Sequence, residues 1–146
     1  MSTIEKAIEI AARAHAGQVD KAGAPYVFHP LRLMMAVSSI DQKIAAVLHD
    51  VVEDTNVTFD ELRAEGFSIE VVDAVMALTK TDGEARLDAA QRAAANSIAR
   101  VVKLADVTDN MNIGRIANPT EKDFARLKEY ALVKEILEQA VKTAML

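Results

Sequence analysis

The segment LHDVVEDT, residues 48–55, sets a histidine and three carboxylates within an apolar stretch. On a helix, with about 100° between residues, the polar side chains fall in one sector and the apolar ones in the other. Ionised groups are costly beside a core unless a partner compensates them. Residues 44–62 contain no Lys or Arg to do so. The pattern therefore predicts a ligand site rather than a solvated face, formed by His49, Asp50, Glu53 and Asp54.

The composition around this segment favours helices. The chain has 146 residues, 51% of them hydrophobic, with five Gly, three Pro and 4% aromatic residues. This length suits one core and is short for two. Residues that favour helices, such as Ala, Leu, Glu and Lys, dominate. We predict an all-α fold with a single domain over residues 1–146.

Side-chain caps and helix breakers indicate where the helices begin and end. The predicted N-caps are Ser2, Asp41, Thr58, Ser68, Asn96 and Thr120; Ser2 and Thr58 each have a Glu three residues later, as in a capping box. These markers predict a bundle of about seven helices, drawn from eight candidate segments: residues 3–16, 30–39, 42–54, 59–65, 69–80, 84–95, 97–112 and from 120 onward. The Gly- and Pro-containing residues 17–29 are predicted to be a loop, which places His29 at a helix entrance.

The charge balance and residue types argue against several classes of protein. A net charge of −5 is atypical of a DNA- or RNA-binding protein, which usually presents a basic face. Without Cys, thiolate metal sites and disulfides are excluded. The first ten residues do not resemble a signal peptide, and no run of about eighteen uncharged apolar residues could span a bilayer. We expect a cytoplasmic protein with no membrane partner.

A second set of polar residues follows an apolar run in VVKLADVTDNMN, residues 101–112. Asp106 and Asn110 are four residues apart and share a helix face, and a nearly buried Asp needs a cation. With His29, the two segments supply two imidazoles and two carboxylates, a mixed nitrogen and oxygen set that suits Mn, Fe, Zn or Mg. His15 is excluded from this set, because a packed or capping His is ordinary at the end of an amphipathic helix.

These motifs resemble those of a known family. HP at 29–30, LHDVVEDT at 48–55 and VKLAD at 102–106 with Asn110 resemble the H…HD…D signature of the HD-domain metal phosphohydrolases. More narrowly, AHAGQ, GAPYVFHP, AAVLHDVVEDTNVT and VKLADVTDNM are similar to the hydrolase domain of the RelA/SpoT-type alarmone enzymes, which remove the 3′-pyrophosphate of ppGpp. The resemblance covers residues 4 to about 130 and implies an HD-domain helical bundle around one metal site.

The resemblance also implies roles for individual residues. One Mn²⁺ would be held by His29, His49, Asp50 and Asp106. The carboxylates of Glu53 and Asp54 would handle the attacking water, and Asn110 would contact the nucleotide. Where the alarmone hydrolases typically carry an Arg against the guanine, this chain has Asp20, which leaves Lys21 as the basic substrate-binding candidate. ADVTDNMNI likewise stands where the family has ADRLHNMRT.

The expected function is hydrolysis of a phosphate or pyrophosphate ester of a nucleotide, with ppGpp as one candidate substrate. The alternative is a catalytically silent nucleotide-binding or sensor module, or a module that the metal only stabilises. The pair Glu53 and Asp54 favours the enzyme, because a protein that only binds has no need of a carboxylate that activates water. The last helix is predicted to pack as a lid on the core through residues at helical spacing, Phe124, Leu127, Ala131, Leu132, Ile136 and Ala140. A leftover apolar stripe on this helix would suit a homodimer face.

Overall fold

The structure is a computed structural model that describes residues 2–146. Within this range the chain forms nine α-helices and one 3₁₀ turn at Ile113–Arg115, and its one β-type pairing is an isolated bridge between Val19 and Pro25. The helices are α1 (Ile4–Ala14), α2 (Phe28–Ala36), α3 (Ile40–Leu48), α4 (Val51–Asp54), α5 (Phe59–Ala64), α6 (Ile69–Leu78), α7 (Arg86–Ala94), α8 (Ala99–Asn110) and α9 (Glu121–Ala144). The all-α prediction is confirmed.

Most of the predicted helix starts are confirmed by hydrogen bonds. Thr58 forms a capping box with Glu61 at α5, and Ser68 accepts a hydrogen bond from the N–H of Val71 at α6. Thr120 caps α9 in a capping box with Asp123. Asn96 Oδ1 accepts from two backbone N–H groups at the start of α8. These caps satisfy N–H groups that have no partner within the helix.

Two predicted caps are wrong. Thr3, not Ser2, caps α1, because the Ser2 hydroxyl and N–H bond instead to the carbonyls of Glu65 and Gly66. Ser39, not Asp41, caps α3, since the side chain of Gln42 reaches back to the N–H of Ser39 and completes a capping box. In both cases the N-cap is within two residues of the predicted one, and a competing partner decides the position.

The predicted continuous helix 42–54 is also wrong, because it is interrupted at residues 49 and 50. α3 ends at Leu48 and α4 begins at Val51, with Asp50 at φ −105° and ψ 0°. In an uninterrupted helix the Ala46 carbonyl would accept from the N–H of residue 50. Here it accepts from His49, through the ring Nδ1 at 2.7 Å and the backbone N–H at 3.5 Å. The histidine therefore ends the helix that carries it.

α3 is the central helix of the bundle. Its residues 44–48 are all buried, and it packs against α1, α2, α6 and α8. α9 packs against α7 and α8, where Val133 and Leu137 are buried against Ala90 and Val107. No helix in the described part of the chain is both long enough and apolar enough to cross a bilayer.

The helix α9 packs on the bundle, but not with the stripe predicted from the sequence. Val133 and Leu137 form its buried positions, whereas Phe124 and Leu132 are exposed. The periodicity allowed several faces, because apolar residues are spread around this helix. Contacts with α7 and α8 selected the buried one.

Candidate metal centre

Three polar side chains from separate helices meet inside the bundle. His29 lies in the first turn of α2, His49 follows the last residue of α3, and Asp106 lies in α8. One nitrogen or oxygen from each lies within 4.8 Å of the others, and all three residues are buried. The packing of α2 and α3 against α8 brings them together.

The two imidazoles present the same nitrogen to the centre. His29 Nδ1 contacts a carboxylate oxygen of Asp109 at 2.6 Å, and His49 Nδ1 donates to the Ala46 carbonyl. With Nδ1 engaged, each ring directs Nε2 toward Oδ1 of Asp106, at 2.9 Å from His29 and 3.6 Å from His49. The neutral tautomer of His49 therefore has its lone pair facing a carboxylate.

The donor set of this centre fits a divalent cation. Among residues 2–146, the buried Nε2 of His49 has no hydrogen-bond partner, although it lies 2.9 Å from Oδ2 of Asp50. A buried nitrogen without a partner is costly, and a cation between it and the carboxylates would remove that cost. Imidazole and carboxylate ligands suit Mn, Fe or Zn, and thiolates are absent from the sequence.

Asp50 lies at the edge of this centre. Its Oδ2 accepts a hydrogen bond from the hydroxyl of Tyr26 and faces the ring of His49. The ligand atoms that lie within 4.8 Å of one another belong to three of the four predicted ligands, His29, His49 and Asp106. The fourth predicted ligand, Asp50, lies beside His49. Tyr26 is not among the site residues predicted from the sequence, although it lies in the motif PYVFHP three residues before His29.

The ionisable groups of the centre shift each other's pKa. Burial lowers the pKa of His49, but the charges of Asp50 and Asp106 outweigh it and raise the pKa well above 6.5. Burial likewise raises the pKa of Asp106, but Lys103 and the two histidines outweigh it and hold the pKa well below 3.8. The ammonium of Lys103 lies 2.9 Å from Oδ2 of Asp106. The carboxylate is therefore ionised and ready to bind a cation.

A cavity of about 280 Å³ opens beside the centre. Its polar lining comprises Tyr26, His29, Asp50, Glu53, Lys80, Arg86, Lys103, Asp106 and Asn110. Partial burial and the charges of Asp50 and Asp54 raise the pKa of Glu53, although the N–H of Lys80 opposes them. Asn110 donates to Oδ1 of Asp106 at 3.1 Å. Glu53 and Asn110, predicted from the sequence, thus line one cavity with His29 and Asp106.

Two other predicted residues lie outside this cavity. Asp54 lines a separate cavity with Gln18 and Thr55, and its backbone carbonyl accepts from the amide of Gln18 at 3.4 Å. Burial, followed by the charge of Asp50, raises its pKa. Lys21 is exposed and lies 3.7 Å from a carboxylate oxygen of Asp123. It lines another cavity of about 280 Å³, called the second cavity below. The second cavity shares His29 and Asn110 with the cavity beside the centre.

Asp20 and His15 have local partners. The carboxylate of Asp20 accepts from the N–H groups of Ala22 and Ala24, so it shapes the loop. His15 is buried against the ring of Tyr26, its Nδ1 bonded to Gln18 at 2.9 Å. It lies outside the group of three.

Three further polar side chains contact the centre, and two of them, Asp109 and Arg32, were not predicted as site residues from the sequence. Lys103 contacts Asp106, and Asp109 and Arg32 form an ion pair beside His29. Each is three residues from a predicted ligand and so lies on the same helix face. This spacing was the signal that could have found them.

The chain is similar in sequence to a known family and to several known proteins. The sequence model of the HD domain matches residues 7–129. A probable GTP pyrophosphokinase of Mycobacterium leprae is 34% identical over 142 residues, covering 88% of this chain and 18% of the relative. A guanosine-3′,5′-bis(diphosphate) 3′-pyrophosphohydrolase of Spiroplasma citri is 37% identical over 142 residues, covering 86% of this chain and 19% of the relative. The chain thus spans about a fifth of the length of these curated relatives.

A solved structure has a similar fold over nearly the whole chain. It is described as a metazoan ortholog of SpoT that hydrolyses ppGpp. The TM-score is 0.77 at 25% sequence identity, and the match covers 97% of this chain and 86% of the other. The solved chain therefore has a similar length as well as a similar fold.

Proposed function

The chain belongs to the HD-domain family, and on this premise we propose that it is a metal-dependent hydrolase of a phosphate or pyrophosphate ester of a nucleotide. The observation that carries the proposal is the meeting of two imidazole nitrogens with a buried carboxylate, where His49 Nε2 has no bonding partner in the described chain. The neighbouring cavity presents the carboxylate of Glu53, the ammonium of Lys103 and the amide of Asn110 to a bound substrate.

His29, His49 and Asp106 would hold one divalent metal, and Asp50 would complete the set from its place beside His49. We propose Mn²⁺, with Fe, Zn and Mg as alternatives that the same ligands accept. Such an ion, when bound, polarises a phosphoryl oxygen and lowers the pKa of a water.

Within the cavity, Glu53 is the residue we assign to accept the proton of the attacking water. Its partial burial raises the pKa and makes the carboxylate a better base than an exposed Glu. Asp54 follows it, and its negative charge further favours protonation of Glu53. Lys103 keeps Asp106 ionised and lines the cavity, where an ammonium stabilises phosphoryl oxygens.

ppGpp is the first substrate to test, because relatives similar over most of this chain are named for its hydrolysis. Asn110 lies at the border of the two cavities, so a nucleotide bound across them would contact it. Lys21, in the Gly- and Pro-containing loop of residues 17–29, is the basic residue that would contact that substrate. The ligand is a small molecule rather than DNA or RNA. A cytoplasmic location and a homodimer remain predictions.

The experiment is to incubate the Mn²⁺-loaded protein with ppGpp, GTP, NADPH and simple nucleotides and to measure released phosphate and pyrophosphate. We expect pyrophosphate from ppGpp, and release at least about 100-fold slower by the Glu53→Gln variant. Release of phosphate from another nucleotide would support the reaction class and change the substrate. Tight binding of a nucleotide without turnover would favour the sensor alternative, and stabilisation by metal without either would favour the structural one.

A further inference from the structure

We infer that Asp109 is a positioning residue that fixes the orientation and tautomer of His29 for metal binding, an inference that rests on the metal site of the proposed function. Asp109 lies in α8 three residues after Asp106 and therefore faces the same side of the helix. Its Oδ2 lies 2.6 Å from Nδ1 of His29, while Nε2 of the same ring lies 2.9 Å from Asp106. One imidazole is thus held between two carboxylates of one helix.

Two arginines hold the carboxylate of Asp109 in place. Arg32, in α2, donates to it from Nε and Nη2, each at 2.9 Å. Arg115, in the 3₁₀ turn, donates from Nη2 to the Asp109 backbone carbonyl at 2.9 Å and from Nη1 to its carboxylate at 3.3 Å. Such forked contacts fix both the position and the rotation of a carboxylate. Asp109, itself in α8, is therefore held both by α2 and by the 3₁₀ turn that follows α8.

The consequence for His29 follows from the chemistry of imidazole. A carboxylate accepts but does not donate when ionised, so Nδ1 of His29 must carry the proton of this contact. Nε2 faces Oδ1 of Asp106 in the same way, so a metal bound there would replace the proton on Nε2, while Nδ1 keeps the proton that it donates to Asp109. His49 reaches the same state through the Ala46 carbonyl. The two rings thus differ in their acceptor, and a carboxylate makes its histidine the more basic ligand.

The arginines also connect this contact to the second cavity. Arg32 and Arg115 both line it, together with Asn110. The carboxylate of Asp109 therefore lies between a metal ligand and the wall of the neighbouring cavity. Replacement of Arg115 should loosen Asp109 without removing it.

The first test measures Mn²⁺ affinity, by calorimetry and by the electron paramagnetic resonance signal of free Mn²⁺. Asp109→Asn keeps the shape of the side chain and removes its charge, and should weaken binding about 10- to 100-fold. Arg115→Met should weaken it less. The matched control is Glu84→Gln, since Glu84 is also a carboxylate held by an arginine fork, with a side chain 13% exposed against 14% for Asp109. It contacts Arg92 and no histidine, and its Mn²⁺ affinity should equal that of the parent.

The second test distinguishes positioning from a general structural effect. With Zn²⁺ as a diamagnetic probe and ¹⁵N-labelled histidine, nuclear magnetic resonance reports which nitrogen of His29 carries the proton. The parent should show a Nδ1–H proton that exchanges slowly with water. In Asp109→Ala this proton should exchange quickly, while the Nδ1–H of His49 should be unchanged.

The outcomes separate the two proposals. If the parent binds neither Mn²⁺ nor Zn²⁺, the metal site of the proposed function is wrong and this inference is wrong with it. If the parent binds metal but Asp109→Asn and Arg115→Met bind it equally well, with the His29 proton unchanged, only the role of Asp109 is overturned. Weakened binding in Glu84→Gln to the same extent would also overturn it.

Discussion

At the scale of single residues, the centre depends on which ring nitrogen of each histidine is free. Both Nδ1 atoms are engaged, by Asp109 and by the Ala46 carbonyl, so both Nε2 atoms face Asp106. Because both rings are already held in place, a metal binds them without a further loss of side-chain entropy. The remaining cost is an unpartnered Nε2 on His49, which a cation would relieve.

The first prediction at this scale concerns His49. His49→Ala should weaken Mn²⁺ binding by more than about 100-fold, beyond the usual effect of a residue that only orients a ligand. The matched control is His15→Ala, because both histidines are 2% exposed and only His49 belongs to the group of three. Calorimetry at pH 7 measures both. Equal loss in the two variants would indicate that a buried imidazole is needed for folding and not for the metal.

The second prediction concerns the base. Glu53→Gln should keep the Mn²⁺ affinity of the parent and lower kcat about 10²- to 10⁴-fold, the range for loss of a general base. The reason is that Glu53 lines the cavity but does not belong to the grouped ligand atoms. Steady-state pyrophosphate release and calorimetry measure the two quantities. An unchanged kcat would remove this role from Glu53.

At the scale of helices, interruptions and joints position the side chains. The break between α3 and α4 lets residues 49 and 50 point into the centre from a turn rather than along one helix face. A comparable joint lies between α6 and α7. There Arg92 donates to the carbonyls of Met76 and Thr79 and to the carboxylate of Glu84. One guanidinium thus joins the end of α6 to the start of α7.

The third prediction follows from this joint. Hydrogen bonds from Arg92 lower the pKa of Glu84 from 4.5 to about 2. A carboxyl with a lowered native pKa stabilises the fold fully above its unfolded value, near 4.5, and this stabilisation is lost as pH falls through about 2. The parent should therefore be more stable than Glu84→Gln at pH 6, and the difference should shrink toward pH 2. Urea unfolding across this range measures it, and a difference independent of pH would contradict the ion pair.

At the scale of the whole molecule, α9 closes the bundle over α7 and α8. Its 24 residues are amphipathic only in part, and the packing depends on a few side chains. Leu137 is fully buried with Ala90, Val107 and Val133. Since α8 also carries Asp106 and Asp109, the packing of α9 supports the helix that supplies the carboxylates.

The fourth prediction tests this packing. Leu137→Ala should lower the free energy of unfolding by about 2–5 kcal/mol, through lost burial and the cavity left behind. Leu132→Ala, in the same helix but 52% exposed, should change it by less than about 0.5 kcal/mol. Chemical denaturation measures both variants. A large effect at Leu132 would indicate that this face is covered in solution, as the predicted homodimer requires.

The sequence alone determined the helical class, most helix starts and the residue types of the centre. These features are local: a Ser or Thr cap needs a partner only three residues away, and a carboxylate cluster without Lys or Arg is visible in the sequence itself. Glu53 and Asn110, named from the sequence, line one cavity with His29 and Asp106.

Only the tertiary structure decided which groups meet across the bundle. The pairing of Asp109 with Arg32 and His29, the hydroxyl of Tyr26 on Asp50 and the buried face of α9 all depend on helices far apart in the chain. The break after Leu48 is a local exception, because the ring nitrogen of His49 competes with the backbone for the carbonyl of Ala46, three residues away. Periodicity fixes which residues share a face of a helix, but the partner of that face is chosen by packing over the whole core.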